Sequence, residues 1–263
     1  MVVNRAILYD RIGEDYRSGR REDPRIGAAI LAALAGASPV LNAGAGAGSY
    51  EPSDRPVVAA EPSAVMLAQR PAGAAPAVRA TAERLPFADG AFGAAMGVLT
   101  LHHWSDRARG LAELRRVTHG PVVLFLRDPL AVPRWWLHHY FPATWRLEQG
   151  RETRLDEVAG LLGGPVEVTP VPIPGDCADG FNAAYWRRPR AYLDPAVWRP
   201  MSALAQIPEA DRAAGMGRLR ADLDSGEWDR RFGHLLDLDA LDLGYRVLVA
   251  RQPDWRPQPR RHP

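Results

Sequence analysis

The stretch VLNAGAGAGSYEP, residues 40–52, joins a short apolar run to glycines at every second position. A run of this length bounded by a turn reads as a buried strand. Gly44, Gly46 and Gly48 then let the backbone turn sharply and lie bare against a ligand. In open α/β sheets that is where nucleotides sit. The spacing is G-x-G-x-G, and Ser49 stands where a dinucleotide site carries its third glycine, so the NAD fingerprint is not met. Glu61 closes the next apolar run, within the about 20 residues expected for a carboxylate that takes ribose hydroxyls. Pro52 and Pro56 interrupt the interval between the two runs. The loop is therefore expected to open about one turn of helix, with little aligned dipole for a pyrophosphate, which favours a ligand without phosphates.

Around this loop, apolar runs at 39–43, 56–61, 76–81, 92–100 and 121–128 alternate with the helix patterns SAVMLAQR and DRARGLAELRRV. Strands apolar on both faces, alternating with helices, predict a parallel sheet covered on both sides, a doubly wound α/β fold. Upstream, DPRIGAAILAALAG places Ile26, Ile30, Leu31 and Leu34 at helical spacing, with Asp23 as cap before Pro24 and Gly36 as stop. Beyond Asp128 the pattern loosens into aromatic, helix-leaning stretches around GPVEVTPVPIP, a further strand, and LDLGYRVLVARQ finishes the sheet late. The expected organisation is lid helices over 1–38, a core over 39–130, a cap and substrate region with one further strand over 131–240, a last strand over 241–252, and a flexible tail over 253–263.

The 263 residues are 46% hydrophobic, enough to bury a substantial core. All 33 basic residues are Arg and nearly cancel 31 acids, leaving +2, so nothing draws the chain generally to nucleic acid or anionic membrane. The absence of Lys removes a P-loop and Schiff-base catalysis. One cysteine, Cys177, excludes an internal disulfide framework and a multi-cysteine metal site and points to a reducing compartment. The N-terminus is too polar for a signal peptide, and no apolar run approaches the ~20 residues of a membrane span. The expected location is cytoplasmic, as a monomer or homodimer acting on a small molecule.

The segments VLNAGAGAGSY, VVAAEPSAVMLAQR, RATAERLPFADGAFGAAMGVLTLHHW and DRARGLAELRRV, in this order, resemble the class I S-adenosylmethionine-dependent methyltransferases, in particular the branch of the ubiquinone and menaquinone C-methyltransferases. The resemblance spans about residues 9–128. It implies a Rossmann-like, doubly wound, seven-stranded sheet with the last strand antiparallel, helices on both faces and a helical cap insertion. It also implies S-adenosylmethionine as cofactor and S-adenosylhomocysteine as product. The methionine part would lie against Gly44, Ala45 and Gly46, and the ribose on Glu61. The adenine would lie between Pro62 and the turn at Thr81, Ala82 and Glu83, with Leu99 and Thr100 near the sulfonium. Tyr16 and Arg20 are the lid residues expected to close over the cofactor and meet its carboxylate. The chain departs from the family pattern at Asn42, Thr81 and Gly93, where acids are usual. Asn42 and Thr81 still hydrogen-bond, but cannot pair with a positive charge.

His102 and His103 follow the fourth strand, where the reacting sulfonium would lie, so either is a candidate base for a hydroxyl, phenol or acidic carbon. The alternative is that one of them caps the strand end beside Trp104. The pairs His102/His103 and His138/His139 do not predict a metal, because adjacent side chains are expected on different faces and no H-x-x-x-H spacing supports them. Cys177 reads as a loop residue. The aromatics Trp135, Trp136, Tyr140, Phe141, Phe181, Tyr185, Trp186 and Trp198 are expected mostly as the core of the cap, with two or three facing an apolar or aromatic substrate. Arg187 and Arg188 read as a solvated charged helix end. Two further readings remain open: a cofactor-dependent cyclisation or rearrangement, and a non-catalytic binding protein on the same fold.

Overall fold

Up to Arg127 the chain lays down five short strands with helices interspersed, and the order of its strands reverses once, which creates the crevice used below. The structure, a computed structural model, describes residues 19–132, 134–149, 154–252 and 255. Among these residues lie α1 (Pro24–Ala33), then β1 (Val40–Ala43), β2 (Val57–Ala60), α2 (Ala64–Ala68), β3 (Ala77–Val78), β4 (Ala94–Val98), α3 (Arg107–Val117) and β5 (Val122–Arg127). Helices α4 (Trp136–Tyr140), α5 (Pro142–Gln149) and α6 (Leu155–Leu162) lead to β6 (Val166–Pro170) and β7 (Ile173–Pro174). Helices α7 (Pro195–Trp198), α8 (Ser202–Gln206), α9 (Glu209–Ser225) and α10 (Glu227–Phe232) precede β8 (Ala240–Leu241) and β9 (Tyr245–Ala250).

The main sheet has seven strands in the order β3-β2-β1-β4-β5-β9-β6. The first five are mutually parallel, and β9 runs antiparallel to both β5 and β6. This is the doubly wound fold expected from the alternating pattern. A second, two-stranded antiparallel sheet of β7 and β8 was not foreseen. Connections leave β1 toward one side and β4 toward the other, so the loops after these two strands border the switch point where open α/β sheets bind ligands.

Helix α1 forms where expected: Asp23 accepts from the Arg25 backbone N–H, Pro24 occupies the first turn, and Ile26 and Ile30 are buried. Leu31, placed on the same apolar face from sequence, is 39% exposed, because it lies off the stripe that meets the sheet. No helix forms between β1 and β2, where about one turn was expected; residues 44–55 run as turns and bends. Pro52 and Pro56 remove backbone donors there, and Glu51 turns inward.

One face of the sheet packs on α1 together with Val171–Trp186, and the other on α3 and α6. A third apolar cluster holds Trp136, Tyr140, Phe141, Tyr192 and Trp228 among the helices that follow β5 and β7. Among the described residues, no helix is long and apolar enough to cross a membrane.

Candidate active site

Two cavities open side by side at the carboxyl ends of β1 and β4 and share Arg20, Leu99 and His103 as a common wall. The first, of about 120 Å³, is formed by the glycine turn and the ends of β2 and β4. It collects every predicted cofactor residue that the structure describes: Arg20, Asn42, Gly44, Ala45, Gly46, Glu61, Pro62, Thr81, Ala82, Glu83, Leu99 and Thr100. Tyr16, the remaining candidate, lies outside the described residues.

Sequence dictates the shape of this cavity locally. Gly44 has φ +67°, and a methyl group on it would run into the Thr100 side chain, so the loops after β1 and β4 meet only because position 44 is glycine. Glu61 spans the turn: Oε2 accepts from Gly46 N–H at 2.9 Å and Oε1 from Ser63 N–H at 2.9 Å. A carboxylate oxygen accepts more than one bond, so this pinning aims Glu61 without using it up. Glu83 accepts from Ser105 N–H and Oγ–H at 2.7 and 2.8 Å and from Asp106 N–H at 3.2 Å. Burial pulls its carboxyl upward, but these bonds outweigh burial and leave it below its ordinary value.

Leu99 lies where the cavities join, at φ 49°, a left-handed backbone that costs a non-glycine residue about 1–2 kcal/mol. Its N–H donates to Phe125 O at 2.7 Å, which holds the strained turn against β5. Arg20 is expected from sequence to meet the cofactor carboxylate; its Nε and Nη2 donate to Asp179 at 2.6 and 3.0 Å. Asp179 also accepts from the Tyr50 hydroxyl at 2.8 Å, which ties the end of the glycine turn to the segment after β7.

The second cavity, of about 150 Å³, is walled mainly by Leu99, Leu101, Leu126, Phe181, Met201 and Tyr245. Its polar border includes His102, His103, Asn182 and a charged group around Glu148. Arg127 Nη1 donates to Glu148 Oε2 at 2.6 Å, and His138 Nε2 stands 3.5 Å from the same oxygen. Burial raises the Glu148 carboxyl, yet the His138 imidazole and the Arg127 charge prevail and hold it below its ordinary value.

His102 and His103 lie in a 3-10 turn, Leu101–His103, directly after β4. Their rings touch, with centroids 3.8 Å apart, which corrects the expectation that adjacent histidines diverge. That expectation belongs to regular strands and helices; in this short turn both rings swing toward the same opening. His103 borders both cavities and His102 only the second. Among the described residues, no group of three or more His, Cys, Asp or Glu side chains is placed to hold a metal ion.

Of the eight cap aromatics singled out from sequence, only Phe181 borders the second cavity; Trp136, Tyr140 and Phe141 fill the third cluster, and Trp186 packs beneath the sheet. Arg188 is exposed, in line with the expectation, but it also donates to Cys177 O and Ala184 O and lies over the Tyr185 ring at 4.4 Å. Sequence reasoning missed Ser63, Met66, Trp104 and Ser105 in the first cavity and Arg127, Glu148, Asn182 and Tyr245 in the second. Arg127 ends a parallel strand and was open to the same argument as Leu99. Glu148 carried no local signal.

Residues 41–125 match a methyltransferase domain family. A protein of Anabaena variabilis, described as a methyltransferase from an antibiotic biosynthesis pathway, is 33% identical over 88% of this chain and 98% of its own, with a TM-score of 0.82. The chain belongs to the S-adenosylmethionine-dependent methyltransferases. The fold is shared at 18% identity by the 4+2 cyclase SpnF, with a TM-score of 0.54 over 95% of this chain and 97% of its own. A phosphoethanolamine N-methyltransferase of Haemonchus contortus, crystallised with S-adenosylhomocysteine, shares it at 15% identity, with a TM-score of 0.55 over 96% of this chain and 61% of its own. A search of curated protein sequences finds no match.

The residues of this methyltransferase suit its cofactor. The first cavity offers a carboxylate suited to a ribose diol in Glu61, and Asn42 Oδ1 in its wall is buried with no hydrogen-bond partner among the described residues. An orphaned buried acceptor costs about 1–3 kcal/mol unless a ligand donor or water meets it. Gly93, another departure from the family pattern, has a local cause: a Cβ there would stand 2.7 Å from the Ser38 carbonyl carbon, so no acid fits in this methyltransferase.

Proposed function

We propose that this methyltransferase transfers the methyl group to a small, mainly apolar or aromatic metabolite that carries a hydroxyl, a phenol or an acidic carbon. The observation that carries this reading is the shared wall of the two cavities at Leu99 and His103. When bound in the first cavity, S-adenosylmethionine supplies an electrophilic sulfonium methyl. Gly44, Ala45 and Gly46 would hold its methionine part, and Glu61 its ribose. Pro62, Thr81, Ala82 and Glu83 would take the adenine. The walls formed by Leu101, Leu126, Phe181, Met201 and Tyr245 orient the acceptor and exclude water, and orientation of this kind supplies much of the rate in a displacement reaction. His103, with the His102 ring tilted against it, accepts the proton that the acceptor atom gives up. A carbon acceptor of the quinone type is one member of this class. The similar Anabaena protein, from an antibiotic pathway, supports a specialised small molecule rather than a polymer.

The test is to incubate the purified chain with S-adenosylmethionine and a panel of phenols, hydroxylated polyketide-like compounds and quinols, following S-adenosylhomocysteine by mass spectrometry. Turnover that falls about 100-fold in His103→Ala supports the reading, with the magnitude taken from general-base catalysis. Conversion of a panel compound without S-adenosylhomocysteine would replace it by cyclisation or rearrangement on the same site.

A further inference from the structure

Asn42 is 1% exposed in the middle of the sheet, paired with Ala59 on one side and Met96 on the other, and it borders the first cavity. An amide there has two ends, one donor and one acceptor, and nothing intrinsic to Asn decides which of them faces a ligand. Its surroundings decide. Asn42 Nδ2 donates to Glu51 Oε1 at 3.0 Å. Glu51 is itself gripped by Arg70, whose Nη2 donates to Oε1 and Oε2 at 3.0 and 2.8 Å and also to Ala75 O at 3.1 Å. The Glu51 and Arg70 side chains are 10% and 6% exposed, so this pair is part of the interior. It lies under the glycine turn, where a methyl group on Gly48 would stand 3.1 Å from Arg70 Nη1 and 3.4 Å from Glu51 Oε2. Neither Glu51 nor Arg70 borders the cavity; Asn42 does, and its side chain hydrogen-bonds Glu51.

A carboxylate accepts and never donates, so the amide nitrogen must face Glu51 and the amide oxygen must face away from it. That oxygen is the buried, unpartnered Oδ1. We propose that Glu51, anchored by Arg70, is a positioning residue of the cofactor site: it fixes the Asn42 amide with its oxygen presented as an acceptor to the amino-acid end of the cofactor. The inference rests on the reading that sets the methionine part against the glycine turn that follows Asn42. It assigns the ammonium group of that part as the donor that Oδ1 awaits. Gln in place of Glu51 would let either amide face either way, and the acceptor would no longer be held toward the cavity.

The test uses calorimetric titration of the full chain with two probes, alongside thermal melting of each variant. S-adenosylhomocysteine carries the amino-acid end, and methylthioadenosine keeps the nucleoside but lacks that end. Glu51→Gln is expected to weaken S-adenosylhomocysteine about tenfold, the scale of one hydrogen bond, and to leave methylthioadenosine within about twofold. Asn42→Asp sets a second carboxylate against Glu51 and is expected to weaken S-adenosylhomocysteine by more than about tenfold. The double variant Asn42→Asp with Glu51→Gln remakes the hydrogen bond with donor and acceptor exchanged, and is expected to return to within about threefold of the parent. Equal weakening of both probes by Glu51→Gln, unchanged binding of both, or a double variant no better than Asn42→Asp would overturn the role of Glu51. Parent binding of S-adenosylhomocysteine that Glu61→Ala leaves untouched would overturn the underlying site reading as well.

Discussion

Gly44 and Glu61 shape the first cavity from single positions. At Gly44, Ala would meet both a left-handed backbone and the Thr100 side chain. Gly44→Ala is expected to lose at least about 2 kcal/mol of stability, measured by denaturant unfolding, and with it cofactor binding. Glu61→Ala is expected to keep the fold, to remove the proposed ribose acceptor and to free the Gly46 and Ser63 N–H groups. Its affinity for S-adenosylhomocysteine should fall by about 1.5–3 kcal/mol for each charged hydrogen bond lost, read by calorimetry. Both residues were legible in the sequence, because glycine spacing and a strand-end carboxylate are local signals. Glu51 and Glu148 were not, because each matters through a partner distant along the chain, Arg70 and Arg127 respectively.

At the scale of elements, α1 shows how much a cap reveals. Asp23, Pro24 and the spacing of Ile26 and Ile30 predicted the helix, and it formed with those residues in those roles. The Arg25 guanidinium hydrogen bond, with the Ala178 and Arg25 backbone N–H groups, outweighs burial and lowers the Asp23 carboxyl to about 2. Its folded value lies below its unfolded one, so the stabilisation is fully present above the ordinary carboxyl range and is lost as pH falls through about 2. Asp23→Ala is expected to cost about 1–2 kcal/mol at neutral pH and to flatten the acid limb of the stability curve. Urea melts between pH 2 and 7 would show it, and an unchanged acid limb would contradict the assignment. The helix expected after the glycine turn shows the opposite case. Local propensity favoured a turn of helix, but Glu51 is drawn inward to Asn42 and Arg70, and the long-range contacts prevail.

Across the whole molecule, the segment Val171–Trp186 is continuous with the core of the sheet rather than laid over it. Val171, Ile173, Phe181 and Trp186 share one apolar cluster with α1, β5 and β9. Asp179 joins the parts: it receives Arg20 and the Tyr50 hydroxyl at once, and is 1% exposed. Asp179→Asn should therefore leave the Arg20 charge poorly matched and destabilise the chain by about 3–5 kcal/mol. The second cavity would be disturbed too, since Phe181 and Asn182 follow directly, so on the proposed reading acceptor KM should rise along with the fall in melting temperature. The alternating pattern in the first half of the sequence announced the doubly wound, mostly parallel sheet. The material from Trp135 to Leu238 did not announce its packing, because aromatic residues at helical spacing serve a cap core and a pocket wall equally well.

Cys177 gives the molecule a chemical clock. Its thiol is fully buried between Asp23, Asp179 and Arg188, and burial pushes it up to about 12. A closed native chain should consume almost no disulfide reagent at neutral pH, while one equivalent reacts each time the segment around Cys177 opens. With no other thiol in the chain, the rate of colour formation under rising denaturant counts those openings directly. If cofactor closes the glycine turn, and Tyr50 with it, the clock should slow when S-adenosylhomocysteine is added, which makes one buried sulfur a reporter on a site it never touches.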